Sequence, residues 1–359
     1  MKKIIHVVGA RPNFMKAAPV YFAIRERSKF QQLLVHTGQH YDERMSKIFF
    51  QQLGMPEPDI NLEVGSASHA VMTAKIMIAF EEVVLKEKPD LVLVYGDVNS
   101  TIACALVAVK LGVKVGHVEA GLRSFDRGMP EELNRILTDS ITDYFFTTSP
   151  EADDLLVKQG APAEKVFFVG NGMIDTLVRL LPKAVQPAND VLKVDESRGF
   201  ALVTLHRPSN VDDATSLKRI LDVLQELGKT MQVVFPIHPR TANRIKELEL
   251  SLSGISTCKP LGYLEFLWLQ KNARMVLTDS GGVQEETTYL GVPCLTLRDN
   301  TERPVTVTEG TNVLIGSDFK LLQQQIDEIV SGNAKQGRIP DKWDGSAGMR
   351  TAELLEQIL

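Results

Sequence analysis

The sequence has little cysteine, few aromatic residues and no excess of positive charge. Its three cysteines, Cys104, Cys258 and Cys294, are far apart and odd in number. They imply neither a disulfide framework nor a metal-ligand spacing, and they suit a reducing cytoplasm. The seven histidines, His6, His36, His40, His69, His117, His206 and His238, show no short metal-binding spacing either. No metal is expected. Acidic residues (45) outnumber basic ones (40), giving a formal charge of -5. That excludes the chain-wide cationic surface of a non-specific nucleic-acid or acidic-membrane binder. No stretch approaches the ~20 apolar residues of a membrane span. The apolar run after Met1-Lys2-Lys3 breaks at Gly9-Ala10-Arg11-Pro12, too early for the apolar core of a secretion signal. It reads as a buried first strand. There is no G-x-x-x-x-G-K-S/T phosphate loop, which argues against an ordinary P-loop NTPase, and no Gly-x-Ser-x-Gly elbow. Gly170-Asn171-Gly172 begins like a dinucleotide fingerprint, but Asp175 stands where its third glycine belongs.

What is present is ordinary soluble material. The chain has 359 residues, 44% hydrophobic and 24% charged. At roughly 100–200 residues per domain, that suggests two domains. Short β-branched runs alternate with helical patterns: 3–8, 33–37, 90–94, 113–118, 144–147 and 165–169 read as strands. Helices are expected over 14–27, near 43–53, and over 68–87, 100–111, 150–159 and 173–181. The Pro-containing stretch 182–198 reads as a connection. Strands 200–204, 232–236, 255–257, 274–278 and 293–297 then alternate with further helices, and 346–359 looks like a last helix. Continuous apolar strands between helices predict an α/β protein with parallel sheets covered on both faces. We place an N-terminal domain at 1–172, a C-terminal domain at 173–345 and a final helix at 346–359. Both domains read as doubly wound, with a cleft between them.

In open parallel sheets ligands bind beyond the carboxyl ends of the strands. Asp97 and Glu119 follow strands expected to be neighbours, so two carboxylates face one cavity. Asp97 reads equally well as a helix cap. Glu131 and Arg135 are four apart near a helix start opened by Pro130, a spacing that also describes a solvated ion pair. His206-Arg207 ends a strand of the second half. Ser280-Gly281-Gly282 opens a helix at a strand end, presenting backbone N–H groups to an anion, with Glu286 one turn along for a ribose diol. Arg11 and Lys16 put cationic groups at the edge of the first sheet, and such a pair is commonly just a solvated face.

Taken together, GARPNFMKAAPV, HTGQH, VYGDVNST, HVEAGLRS, PEELNR, VTLHRPSN, LTDSGGVQEE and RDNTERPV resemble, in order and along nearly the whole chain, the non-hydrolysing UDP-N-acetylglucosamine 2-epimerases. The resemblance implies two Rossmann-like domains of glycosyltransferase-B type, an active-site cleft between them, a last helix over 346–359 that crosses back to the first domain, a homodimer, a UDP-sugar substrate and no cofactor. It implies interconversion of UDP-N-acetylglucosamine and UDP-N-acetylmannosamine, by anti elimination of UDP to a 2-acetamidoglucal and re-addition. By the same resemblance Asp97, Glu119 and Glu131 surround the sugar, Arg135 orients Glu131, and His206 assists departure of the diphosphate. Arg11, Ser280, Gly281 and Gly282 match phosphate-side contacts, and Glu286 a ribose contact. Lys16 and Arg303 match further substrate contacts, and Leu261 and Phe266 the uracil pocket. Gln39, Asp42, Arg207 and His238 lie where some relatives bind an activating second substrate molecule. Asp42 replaces an amide there, and Lys75 is the only lysine or arginine between Val64 and Ile76, so activation is expected to be weak or absent. The segment Arg123-Ser124-Phe125-Asp126-Arg127 also looks like relatives that act on 2,3-diacetamido uronic acid sugars. A glycosyltransferase or an idle UDP-sugar sensor of the same architecture are the other readings.

Overall fold

A computed structural model describes residues 1–39, 50, 52–195 and 197–359, excluding the side chain of residue 11. The chain forms two compact units. The first comprises Met1–Arg179 and Asp341–Leu359, and the second Leu180–Pro340.

The strands of the first unit are β1 (Lys2–Val8), β2 (Phe30–His36), β3 (Ile60–Asn61), β4 (Leu91–Tyr95), β5 (Lys114–Ala120), β6 (Tyr144–Thr147) and β7 (Val166–Phe168). Among the described residues they make one parallel sheet of order β3-β2-β1-β4-β5-β6-β7. The uninterrupted apolar run of β4 is buried at every position. That is the signature of a strand covered on both faces. Ile5, Val7, Val92, Val94 and Val115 form the core with Ile76 and Phe80 from helix His69–Glu87. Helix Arg11–Arg27 contains Pro19, which cannot donate to the carbonyl of Met15 one turn back. The Thr176 hydroxyl donates to that carbonyl instead, at 2.6 Å.

The second unit repeats the plan with β8 (Phe200–Thr204), β9 (Gln232–Pro236), β10 (Ile255–Cys258), β11 (Met275–Thr278), β12 (Cys294–Thr296) and β13 (Asn312–Leu314). Its parallel order among the described residues is β10-β9-β8-β11-β12-β13. Each sheet therefore reverses direction between its first and fourth strand, at β1/β4 and at β8/β11. A ligand crevice belongs at such a reversal.

Short helices such as Pro208–Val211 and Pro304–Thr308 escaped the sequence reading, as did two strands and one longer helix. β3 and β13 are too short to show alternation. Helix Phe319–Val330 buries Leu322, Ile326 and Ile329, a helical spacing that was legible. The helix expected near 43–53 lies largely outside the described residues. The division falls after Arg179 rather than after residue 172, and the return begins at Asp341 rather than at 346. Side chains explain both shifts. Helix Gly172–Leu180 supplies Thr176 to Met15 and Asp175 to the backbone N–H groups of Ala347 (3.1 Å) and Gly348 (2.7 Å). Trp343 is fully buried and donates to the Thr148 carbonyl at 2.9 Å. Helix Ala347–Ile358 then packs on helix Arg11–Arg27, where Arg27 pairs with Glu356 at 2.7 Å. No described helix is long and apolar enough to cross a membrane.

Candidate active site

The reversal of the first sheet gathers carboxylates. β4 and β5 are paired in register, Tyr95 opposite Val118, so Asp97 and Glu119 leave neighbouring strand ends. Asp97 does not cap helix Asn99–Lys110, which has no side-chain cap. Its carboxylate instead receives Arg135 Nη1. Asn134 Nδ2 donates to the Asp97 carbonyl at 2.9 Å and fixes the loop. Glu119 lies where the β5/β6 register shifts, in the left-handed region at φ 73°. For a residue with a β-carbon this strain costs roughly 1–3 kcal/mol and is characteristic of functional sites. The buried Glu119 carboxylate is matched by buried Lys16, whose Nζ lies 2.8 and 2.7 Å from its two oxygens. Gly96 makes room for this pair: a β-carbon there would sit 2.7 Å from Lys16 Nζ, and its φ is 59°.

Arg135, expected to orient Glu131, meets Asp97 and the neighbouring Glu132. Buried Arg135 donates to Glu132 Oε2 through Nε (2.9 Å) and Nη2 (2.6 Å), as well as to Asp97. Glu132 also accepts the backbone N–H groups of Ser124 and Phe125, both at 2.9 Å. The reason is helical geometry: positions 132 and 135 lie one turn apart on the buried side, while Glu131 is half-buried beside them. Glu132 and Arg135 thus tie the 124–125 backbone to Asp97.

Behind them Asp139 joins His117 Nδ1 (2.6 Å), Arg123 Nη1 (2.6 Å) and the Gly121 N–H (3.1 Å). Burial pushes the Asp139 carboxyl up, but His117 and Arg123 outweigh it and hold it below its usual value. His117 Nε2 reaches the Gly96 carbonyl at 2.8 Å. One buried carboxylate therefore braces the loops on both sides of the site. The backbone of Arg11 opens helix Arg11–Arg27 at the end of β1. Gln39 is buried, and its Oε1 accepts from Ser100 N (3.1 Å) and Oγ (2.7 Å). Asp42 lies outside the described residues.

The reversal of the second sheet has the opposite character. Ser280 precedes helix Gly281–Leu290, which has no side-chain cap, so its first-turn N–H groups are not met by a side chain at that end. A β-carbon at Gly281 would sit 2.6 Å from both Arg303 Nη1 and Glu302 Oε1. Arg303 is itself buried, with Nε 2.9 Å from Glu285 Oε1, and it pairs with Glu302. It packs under the loop as part of a charge-balanced network that includes Arg298–Glu302 at 2.7 Å. Gly282 is half-buried. Glu286 accepts the Tyr263 hydroxyl at 2.7 Å and Gln270 Nε2 at 2.6 Å. Burial pushes its carboxyl up, and these two hydrogen bonds offset only part of the effect. Leu261 and Phe266 are half-buried against the cluster of Phe200, Leu202 and Val276. His206 Nδ1 lies 2.7 Å from Asp279 Oδ1, with the imidazole half exposed. Arg207 is half-buried, and His238 is an exposed cap of helix Pro239–Glu247.

The sequence reading left Glu132, Asp139, Tyr263 and Asp279 without a site role. Asp279 stood in plain view at a strand end beside Ser280. Asp139 and Tyr263 meet partners 16 or more positions away, whereas Glu132 lies within one helical turn of Arg135 and was within reach of the sequence pattern.

Two doubly wound units, one with a carboxylate cluster and the other with a glycine-opened helix start at its strand reversal, have the architecture of the glycosyltransferase-B-like enzymes. The family profile described as UDP-N-acetylglucosamine 2-epimerase matches residues 22–356, and the chain belongs to that family. It is 43% identical over 365 residues to the UDP-N-acetylglucosamine 2-epimerase of Methanocaldococcus jannaschii, covering 98% of each chain. A crystal structure of the M. jannaschii enzyme in complex with UDP-GlcNAc and UDP superposes with a TM-score of 0.89, at 43% identity, over 99% of this chain and 100% of the other. The chain is also 46% identical over 359 residues to the UDP-2,3-diacetamido-2,3-dideoxy-D-glucuronate 2-epimerase of Pseudomonas aeruginosa, covering 99% of this chain and 100% of the other. The lipopolysaccharide outer core galactosyltransferase WaaB, 14% identical with a TM-score of 0.54 over 99% of this chain and 100% of that one, shares the fold alone.

Proposed function

We infer that this chain is an isomerase that inverts C2 of a UDP-2-acetamido sugar, interconverting UDP-N-acetylglucosamine and UDP-N-acetylmannosamine. The C2 proton is not adjacent to a carbonyl, so direct abstraction is difficult. Elimination avoids this. The C1–O bond breaks with its electron pair passing to the UDP oxygen, C2 gives its proton to a base, and a 2-acetamidoglucal remains. Re-addition of UDP with protonation on the opposite face of C2 completes the inversion. Atoms and electrons balance without an external oxidant or reductant.

The observation that carries this reading is the cluster at the first sheet reversal. Asp97, Glu119 and Glu132 bring more negative charge there than Lys16 and Arg135 return. Such a field stabilises positive charge developing at C1, and its carboxylates serve as acid and base. Phosphates and uridine are assigned to the second unit, through Ser280, Gly281, Gly282, Glu286, Leu261, Phe266 and His206. Incubation with UDP-N-acetylglucosamine alone in deuterium oxide, followed by NMR, tests the proposal. The 2-epimer with deuterium at C2 is expected. Unchanged sugar rejects an epimerase acting on this substrate, and product without deuterium points instead to a shielded proton or an oxidation route.

A second substrate is favoured by one observation, the full-length 46% identity to the diacetamido-glucuronate enzyme. A panel that includes the 2,3-diacetamido uronic acid sugar decides between them by kcat/KM. We further propose a homodimer in the cytoplasm. Val71, Ile78 and Leu85 recur every seventh residue along helix His69–Glu87 and are exposed, as are Leu133 and Leu137 on helix Pro130–Ile141. Sedimentation of the purified chain is expected to give twice the monomer mass. A second-substrate activator is not expected to be required, so UDP-N-acetylmannosamine alone turns over; silence until a trace of UDP-N-acetylglucosamine is added rejects this.

A further inference from the structure

At the reversal of the second sheet, β8 runs out into His206 and its neighbour β11 into Asp279. Asp279 is completely buried. Two backbone N–H groups and the Asn210 amide meet its carboxylate as hydrogen-bond donors, and the His206 N–H reaches both of its oxygens. Oδ2 accepts from the backbone N–H of His206 (3.0 Å) and Arg207 (2.9 Å) and from Asn210 Nδ2 (3.1 Å), and Oδ1 faces His206 Nδ1 at 2.7 Å. A protonated carboxyl would set one of its own hydrogens against these donors. The carboxylate is therefore ionised, in line with its displacement below the usual value: burial raises it, but the His206 ring, the Arg207 N–H and Asn210 more than compensate.

An ionised carboxylate only accepts, so His206 Nδ1 carries a hydrogen. The ring is half exposed, which leaves Nε2 as the nitrogen open to a ligand. We propose that Asp279 is the positioning residue of an Asp–His pair, locking His206 in the Nδ1–H tautomer and turning Nε2 into its working atom. The proposal rests on the assignment of His206 to the diphosphate. There the imidazolium donates Nε2–H to the phosphate oxygen as the C1–O bond breaks, and Asp279 stabilises the cation from behind. In the reverse direction the same hydrogen is held by Nε2 as the oxygen attacks C1. The carboxylate orients and charges the ring and does not itself take the proton, as the buried aspartate of a serine-protease triad does. Asn210 supports the carboxylate and also donates to the Leu297 carbonyl at 2.9 Å, tying the pair to the end of β12.

The test starts on the unmutated full chain. Nitrogen-15 NMR of the His206 ring in its neutral form is expected to show Nδ1–H and an unprotonated Nε2. An Nε2–H tautomer overturns the proposal. Asp279→Asn keeps the shape, but its amide donates toward Nδ1. It is expected to flip the tautomer and lower turnover by roughly 10²–10⁴-fold, with UDP affinity within about threefold by calorimetry. Turnover within threefold of the unmutated enzyme overturns the proposal. Adding Asp279→Asn to His206→Asn is expected to cost nothing further, because the two residues act as a unit. A merely structural aspartate gives additive losses instead, which also overturns it. If His206→Asn retains full turnover, the assignment of His206 to the diphosphate fails, while the tautomer measurement still stands on its own.

Discussion

The two units use one strand order and place opposite chemistry at the same point. At β1/β4 the loops bring buried carboxylates against Lys16 and Arg135, with a strained Glu119. At β8/β11 they bring a glycine-opened helix start and a half-exposed imidazole backed by Asp279. Topology thus decides where a ligand is met, and the residues after each strand decide which charge it carries.

The most forceful way to break this contrast is to neutralise the carboxylates of the first unit. Asp97→Asn, Glu119→Gln and Glu131→Gln are each expected to lower turnover by ~10²–10⁴-fold while UDP still binds. Steady-state rates beside calorimetry check this. Near-normal rates in all three variants remove the proposed centre.

Lys16→Met removes the cation that meets both oxygens of the buried Glu119 carboxylate. Breaking such a pair costs ~3–5 kcal/mol, so the denaturant midpoint of the full chain is expected to fall sharply. A midpoint within experimental scatter of the parent's means that the pair is not what holds the Glu119 strand end.

The third prediction uses a carboxylate outside both reversals. Burial pushes Asp175 up to about 6, with the Ala347 and Gly348 N–H groups offsetting part of that shift. Its folded value lies above the ordinary aspartate value of 3.8, so the native state binds this proton more tightly. Its contribution is present at acid pH and is lost as pH rises from about 4 through about 6. Asp139 and Asp279 behave oppositely, because their folded values are lowered: their contribution is present at neutral pH and fades as pH falls below the usual carboxylate range. Asp175→Asn is expected to remove a fall in stability of no more than ~3 kcal/mol between those pH values. Unfolding midpoints at pH 4, 5, 6 and 7 measure it, and parallel curves for parent and variant count against it.

The mildest change sharpens the other side of the comparison. Gly281→Ala drives a β-carbon into Arg303 and Glu302. Overpacking of ~1–3 kcal/mol implies UDP affinity lower by roughly tenfold. Unaltered affinity would mean that Arg303 moves aside freely.

The sequence by itself determined the alternation of strands and helices, because buried parallel strands such as Leu91–Tyr95 are continuous apolar runs. It also determined where chemistry gathers, since Asp97, His206 and Ser280 follow strands and Glu119 stands at the end of one. Side-chain partnerships were decided only by the tertiary structure. Positions 131 and 132 both carry glutamate, and periodicity does not say which meets Arg135 until the helix is docked. Asp279 reads as a strand-end residue until β8 and β11 become neighbours and bring His206 to 2.7 Å. The return of Asp341–Leu359 to the first unit rests on Trp343, Asp175 and Thr148, which no local pattern connects. Local propensity and burial act over one or two turns of chain, and a hydrogen bond between residues a hundred or more positions apart exists only once the sheets have set their strand order.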